Sequence, residues 1–141
     1  PPSPSKERGT EGVRLKMIEI YVGATYSPST NMGGWGVVLV EEGEREKKDK
    51  GCEQNTTHNQ MILRAAIEGL SKTEQDCEVR LFSNSEYLII GMKDSRQRRG
   101  NRELWEMLDE LVYRRHVDPQ RIPKHKWLDE AHLLAKDAVG G

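Results

Sequence analysis

The chain has 141 residues, with 22 basic and 23 acidic side chains, a net charge of -1 and 35% hydrophobic residues. This length predicts one domain that can bury a sizeable core without disulfides or a structural metal. The balanced charge excludes a protein drawn as a whole to nucleic acid or to a membrane surface. The apolar runs are too short for a bilayer, so we expect neither a membrane partner nor a targeting leader.

The two cysteines, Cys52 and Cys77, lie on predicted strands and show no pairing pattern. We interpret them as buried, reduced thiols of an intracellular protein, cytoplasmic or nuclear, with a single bridge as the alternative. The four histidines are scattered along the chain, and no four-ligand spacing predicts a zinc site.

Residues 1–14 contain three prolines, two glycines and almost no apolar side chain. This composition predicts a flexible tail or a linker from a larger protein. The folded domain is therefore expected over residues 15–141.

Three strands are predicted next, over residues 17–22, 35–40 and 45–53. A turn rich in Ser, Pro, Asn and Gly separates the first two, and a break at 42–43 precedes the polar third strand. The first strand alternates and has one apolar face. The side chains on that face are Ile18, Ile20 and Val22.

The remaining pattern alternates helices with strands. The predicted ranges are a helix over 57–70, a strand over 78–82, a short helix over 86–92, an amphipathic helix after Gly100–Asn101, a short strand over 121–127 and a helix over 128–138. A meander of three strands followed by α/β crossovers predicts an α/β fold, with a mixed five-stranded sheet flanked by helices.

Several segments resemble type 1 ribonuclease H, a member of the ribonuclease H-like superfamily, in the same order and with similar spacing. The matching segments are Ile18–Thr25, Gly33–Gly36, Thr56–Ala66, Leu81–Tyr87, Arg102–Trp105, Lys126–Leu128 and His132–Ala135. The resemblance implies the ribonuclease H fold, with three antiparallel strands followed by parallel ones. It also implies cleavage of the RNA strand of an RNA–DNA hybrid, by two Mg²⁺ ions held on four acidic side chains.

The four positions that the resemblance assigns to the metal ions hold Gly23, Ile62, Asn84 and His132. None of them carries a carboxylate, the ligand that Mg²⁺ prefers. We therefore expect no intact catalytic residue, no metal and no cofactor, with Mg²⁺ only if an atypical site exists. Other acids, namely Glu19, Glu86, Asp129 and Glu130, would have to converge to make such a relocated site. The family's histidine-bearing segment before the last helix is also missing.

Some of the family's nucleic-acid surface is retained. His58 and Asn59 occupy the place of an asparagine pair that contacts the hybrid, although Asn59 could equally cap a turn. A basic segment follows later in the chain, with Lys93, Arg96, Arg98, Arg99 and Arg102. Clustered arginines indicate phosphate contact, and a solvated loop is the alternative interpretation. A second, weaker basic cluster lies over residues 114–126.

Three functions remain open. The domain binds an RNA–DNA hybrid or another duplex without cutting it, or it binds a protein partner within a larger assembly. Alternatively, it is an active hybrid ribonuclease with an atypical metal site. The fold alone does not choose among them.

Overall fold

The computed structural model describes residues 17–42 and 46–140, so the predicted tail over 1–14 lies outside the described residues. The strands are β1 (Met17–Ser27), β2 (Met32–Glu41), β3 (Lys47–Gln54), β4 (Glu78–Ser83) and β5 (His116–Arg121). The helices are α1 (His58–Ser71), α2 (Glu86–Lys93), α3 (Arg102–Tyr113) and α4 (Lys126–Ala138), with a single 3₁₀ turn at Ser95–Gln97. In the described part of the chain, every helix is too short or too polar to cross a bilayer.

The five strands form one sheet in the order β3-β2-β1-β4-β5. The pairs β1–β2 and β2–β3 are antiparallel, whereas β1–β4 and β4–β5 are parallel. This topology confirms the mixed five-stranded sheet, because each parallel neighbour is reached through a helical crossover.

The two faces of the sheet bury different helices. Ile18, Ile20 and Val22 lie in the main core with the buried residues of α1, which confirms the predicted apolar face of β1. Tyr21 and Val38 point to the other face, where they pack against α4.

The fifth strand was misplaced by the sequence pattern. The sequence predicts it over 121–127, but β5 spans His116–Arg121, and Trp127 lies in the first turn of α4. Pro119 is tolerated because β5 is an edge strand that needs ladder hydrogen bonds on one side only. His125 begins α4 by capping it, since its Nδ1 accepts the Trp127 N–H at 3.1 Å.

The cysteine prediction is corrected in part. Cys77 is buried as expected, but Cys52 is exposed, because β3 is the other edge strand. Both thiols are free, so the bridge left open as an alternative is not formed.

Candidate nucleic-acid interface and the family metal positions

Helix α4 lies directly on the backbone of two strands at the centre of the sheet. Gly23 of β1 pairs with Gly36 of β2, and a Cβ atom built on Gly23 would lie 2.8 Å from the His132 nitrogen and 2.9 Å from the Ala131 carbonyl carbon. A Cβ on Gly36 would likewise collide with the carbonyl oxygen of Ala131. Gly23 and His132, two of the four positions assigned to the metal ions, are therefore in backbone contact. Helix backbone fills the space that a side chain at position 23 would occupy.

The other two positions provide little for a cation. Ile62 is 1% exposed in the main core, so its side chain offers only hydrocarbon. Asn84 follows the end of β4 and is exposed. It keeps an amide oxygen but has no charge.

Two histidines lie near each other beside these positions, His132 in α4 and His58 at the start of α1. The Nδ1 of His132 is 2.9 Å from the Leu128 carbonyl oxygen, one turn earlier in α4. Partial burial lowers the pKa of His58, and the nearby His132 lowers it further, while a hydrogen bond to the Ala24 backbone opposes both effects. In the unliganded domain His58 therefore takes up a proton less readily than a free imidazole does.

These residues do not fit a pair of Mg²⁺ ions, which require several oxygen ligands, most of them carboxylates. Two of the four substitute acids are also engaged elsewhere. Glu19 accepts a hydrogen bond from the Tyr21 hydroxyl at 2.9 Å, and Glu130 pairs with Lys48 at 3.2 Å. Within residues 17–42 and 46–140, no three His, Cys, Asp or Glu side chains are grouped to hold a metal ion.

Most of the predicted basic segment is open to solvent. Arg96 and Arg102 have side chains 86% and 90% exposed, and Lys93 and Arg99 are also exposed. Arg96 pairs with Asp94 at 3.1 Å and Arg102 with Glu106 at 3.2 Å. Exposed pairs of this kind are weak, so a phosphate can replace the carboxylate at small cost.

Arg98 differs from its neighbours. Its side chain is only 18% exposed, its Nε donates to the Gly91 carbonyl oxygen at 2.9 Å, and its two terminal nitrogens each donate to Asp109 at 2.7 Å. The guanidinium also lies 4.3 Å from the centroid of the Trp105 ring. These contacts use three of the five guanidinium N–H donors within the domain, and phosphate contact by Arg98 stays a prediction.

The second basic cluster is divided in space. Arg115, at the start of β5, donates to the side chain and the carbonyl oxygen of Thr73, both at 2.6 Å. Arg114 pairs with Glu110 on α3 at 2.8 Å. Lys124 and Lys126 lie beyond the opposite end of β5. The cluster is therefore continuous in sequence but not on the surface.

Sequence reasoning missed a hydrogen-bond network centred on Tyr87. Its hydroxyl donates to the Arg99 carbonyl oxygen at 2.7 Å and accepts from Asn101 Nδ2 at 2.9 Å and from Trp105 Nε1 at 3.1 Å. Asn101 adopts the left-handed conformation, with φ of 58°. The Gly100–Asn101 pair predicted only a helix start, although Asn is one of the few residues that favour this conformation.

Comparisons with known proteins agree on one family. The RNase H family model matches residues 16–139. The ribonuclease H of Stutzerimonas stutzeri (strain A1501) is 33% identical over 138 residues, with 86% of this chain and 91% of the relative covered. That of Legionella pneumophila (strain Corby) is 41% identical over 108 residues, with 67% and 75% covered.

Solved structures show the same fold. LC11-RNase H1, crystallised in complex with an RNA/DNA hybrid, has a TM-score of 0.76 at 22% identity, with 87% of this chain and 96% of that chain covered. RNase H1 of the halophilic archaeon Halobacterium salinarum NRC-1 has a TM-score of 0.72 at 17% identity, with 88% and 98% covered. The order of the elements, the mixed sheet and the family match together place this chain in the ribonuclease H family, as the resemblance to the type 1 enzymes implied.

Proposed function

We propose that this domain binds nucleic acid, an RNA–DNA hybrid or another duplex, and does not cleave it by the two-metal route. The observation that carries the proposal is the backbone contact of α4 with Gly23. A carboxylate at that place would meet the His132 nitrogen and the Ala131 carbonyl carbon, with no space for an ion between them.

The missing donors support the same conclusion. Two-metal hydrolysis needs anionic ligands to gather two divalent cations and to hold them about 4 Å apart. Gly23 offers no side chain, and Ile62 offers only hydrocarbon. The nitrogen of His132 suits softer metals than Mg²⁺.

The exposed cations supply the attraction to a polyanion. Lys93, Arg96, Arg99 and Arg102 lie on α2, on α3 and on the loop between them. Each phosphate neutralised by a cation releases counterions, so the affinity should fall steeply as salt rises. His58 and Asn59 begin α1 and would add hydrogen bonds to the sugar-phosphate backbone. LC11-RNase H1, a relative of the same fold, was crystallised with an RNA/DNA hybrid.

One observation favours a second candidate, an active hybrid ribonuclease with an atypical metal site. The relatives from S. stutzeri and L. pneumophila both have the name ribonuclease H. A third possibility is that the domain binds a protein partner within a larger assembly. This has less support, because the surface of the described residues does not identify a partner.

The test measures binding and cleavage on the same labelled 20-base-pair hybrid. We expect the wild type to bind it in chelator without any divalent ion, and to leave it intact when Mg²⁺ is added. The double variant K93A/R99A should bind less tightly and with a shallower salt dependence. The matched control K47A/K136A removes two exposed lysines from β3 and α4 and should bind like the wild type.

Cleavage that requires Mg²⁺ or Mn²⁺ and stops in chelator would favour the active ribonuclease instead. A variant with Asn84→Ala and His132→Ala separates this outcome from a contaminating nuclease, because contaminant cleavage would survive both substitutions. An absence of hybrid binding at low salt would contradict the proposal.

A further inference from the structure

The segment between α2 and α3, residues 94–101, carries two of the proposed phosphate contacts, Arg96 and Arg99. A loop of this kind that is mobile in the free protein must lose conformational freedom when it binds, and this entropy loss weakens the affinity. In this structure it is instead fixed at Arg98 and Arg99, by the side chain of Arg98 itself and by the hydroxyl of Tyr87.

Arg98 holds the segment against α2 and α3. It connects the Gly91 carbonyl oxygen at the end of α2 to the Asp109 carboxylate on α3, and its guanidinium covers the Trp105 ring. Gly91 is required for this packing, because a Cβ there would collide with the Trp105 ring. A planar, five-donor guanidinium can make all of these contacts at once, whereas an ammonium cannot.

Tyr87 of α2 also holds the same segment, through its hydroxyl group. Its hydroxyl oxygen accepts from Asn101 and Trp105, and it donates to the Arg99 carbonyl oxygen at 2.7 Å, with the Gly100 carbonyl oxygen farther away at 3.5 Å. The orientation of the Arg99 main chain therefore depends on a hydroxyl oxygen that carries no charge.

The network continues to the start of α1. Thr56 Oγ1 donates to Gln60 Oε1 at 2.9 Å, and Gln60 Nε2 donates to Asn101 Oδ1 at 3.2 Å. His58 and Asn59 lie between Thr56 and Gln60 in the sequence. One chain of hydrogen bonds therefore fixes the basic segment relative to the helix start that carries the other proposed contacts.

We propose that Tyr87 and Arg98 are positioning residues, which hold Arg96 and Arg99 of the basic segment in register with the His58–Asn59 helix start for a nucleic-acid duplex. This inference rests on the proposed function. It gives a partly buried arginine of the basic segment a structural role and gives a neutral tyrosine an effect on affinity for a polyanion.

Two variants test the inference without changing the net charge. Tyr87→Phe keeps the ring that packs 5.6 Å from Trp105 and removes only the hydroxyl. Arg98→Lys keeps the charge and removes the bidentate contact and the flat stacking group. We expect each variant to bind the 20-base-pair hybrid about three- to tenfold less tightly, because the loop must then be ordered on binding.

The matched controls are neighbours at the end of α3. Tyr113 is 85% exposed, so Tyr113→Phe repeats the first change on the surface. Arg114→Lys repeats the second at a residue paired with Glu110. Both controls should bind like the wild type.

The salt dependence of the affinity distinguishes positioning from the loss of a phosphate contact. We expect Y87F and R98K to keep the wild-type slope, because the loop contacts the same phosphates once it is ordered, with folding intact at the assay temperature by circular dichroism and faster trypsin cleavage after Arg96 or Arg99. Wild-type affinity in Y87F would overturn the inference. So would an R98K variant that binds like the wild type while R98A is weak, since that pattern marks a phosphate contact. If the wild-type protein binds no hybrid at all, the proposed function is contradicted. The trypsin comparison then still tests whether Tyr87 and Arg98 hold the basic segment in place.

Discussion

Replacing Gly23 with alanine adds a single methyl group at the centre of the family site. That carbon would lie 2.8 Å from the His132 nitrogen and 2.9 Å from the Ala131 carbonyl carbon, closer than a carbon atom can approach either. Both neighbours are helix backbone in a turn whose Ala131 and Ala135 side chains are fully buried, so they cannot rotate away. Either α4 must move off the sheet or β1 must bend.

Forcing one methyl group into a packed interior costs about 1–3 kcal/mol. The smaller conformational freedom of alanine in the unfolded chain returns about 0.4–1 kcal/mol. We therefore expect Gly23→Ala to lower the free energy of unfolding by about 1–2 kcal/mol. Gly23→Asp, which restores the family residue, should cost at least as much, because it adds a carboxylate with no cation to balance it.

Urea unfolding followed by circular dichroism at 222 nm measures this change as a lower midpoint at constant slope. Adding 10 mM Mg²⁺ should leave the midpoint of both variants where it was, since no ion is bound. A Gly23→Ala protein as stable as the wild type would refute the backbone contact between α4 and β1. A Gly23→Asp protein that Mg²⁺ stabilises would refute the conclusion that the site cannot hold a metal.

Two further predictions concern histidines. The pKa of His58 is lowered in the folded state, so the folded protein takes up the His58 proton less readily than the unfolded chain, and stability should fall as the pH drops below about 6.5. In His58→Gln, urea midpoints between pH 7.5 and 5 should fall less steeply, and an unchanged profile would count against a lowered His58 pKa. His125→Ala removes the acceptor for the Trp127 N–H at the start of α4 and should cost about 0.5–2 kcal/mol in thermal unfolding; His116→Ala, an exposed residue on the edge strand β5, is the control, and equal losses in the two variants would contradict the cap.

The three central strands could be predicted well from local pattern, because β1, β2 and β4 bury apolar side chains. The alternation of Ile18, Ile20 and Val22 is enough to orient β1. Strand β5 could not be found in this way. Its sequence, HVDPQR, is polar and contains a proline, and only parallel pairing with β4 makes it a strand.

The candidate site was harder to predict, because its features depend on contacts distant in sequence. The absence of carboxylates could be read from the aligned segments. The closure of the space by α4 depends instead on helix backbone that meets Gly23, Gly34 and Gly36. The role of Arg98 depends on Asp109 and Trp105, which the basic composition of the segment does not reveal. The prediction that Cys52 is buried was wrong, because the local sequence does not reveal that β3 lies at the edge of the sheet.

The most direct measurement incubates the purified domain with an end-labelled RNA–DNA hybrid in Mg²⁺ or Mn²⁺, and resolves the mixture on native and denaturing gels. We predict a retarded complex whose RNA strand remains full length. RNA fragments that form only with the divalent ion, and that disappear in the Asn84→Ala, His132→Ala variant, would contradict the central claim.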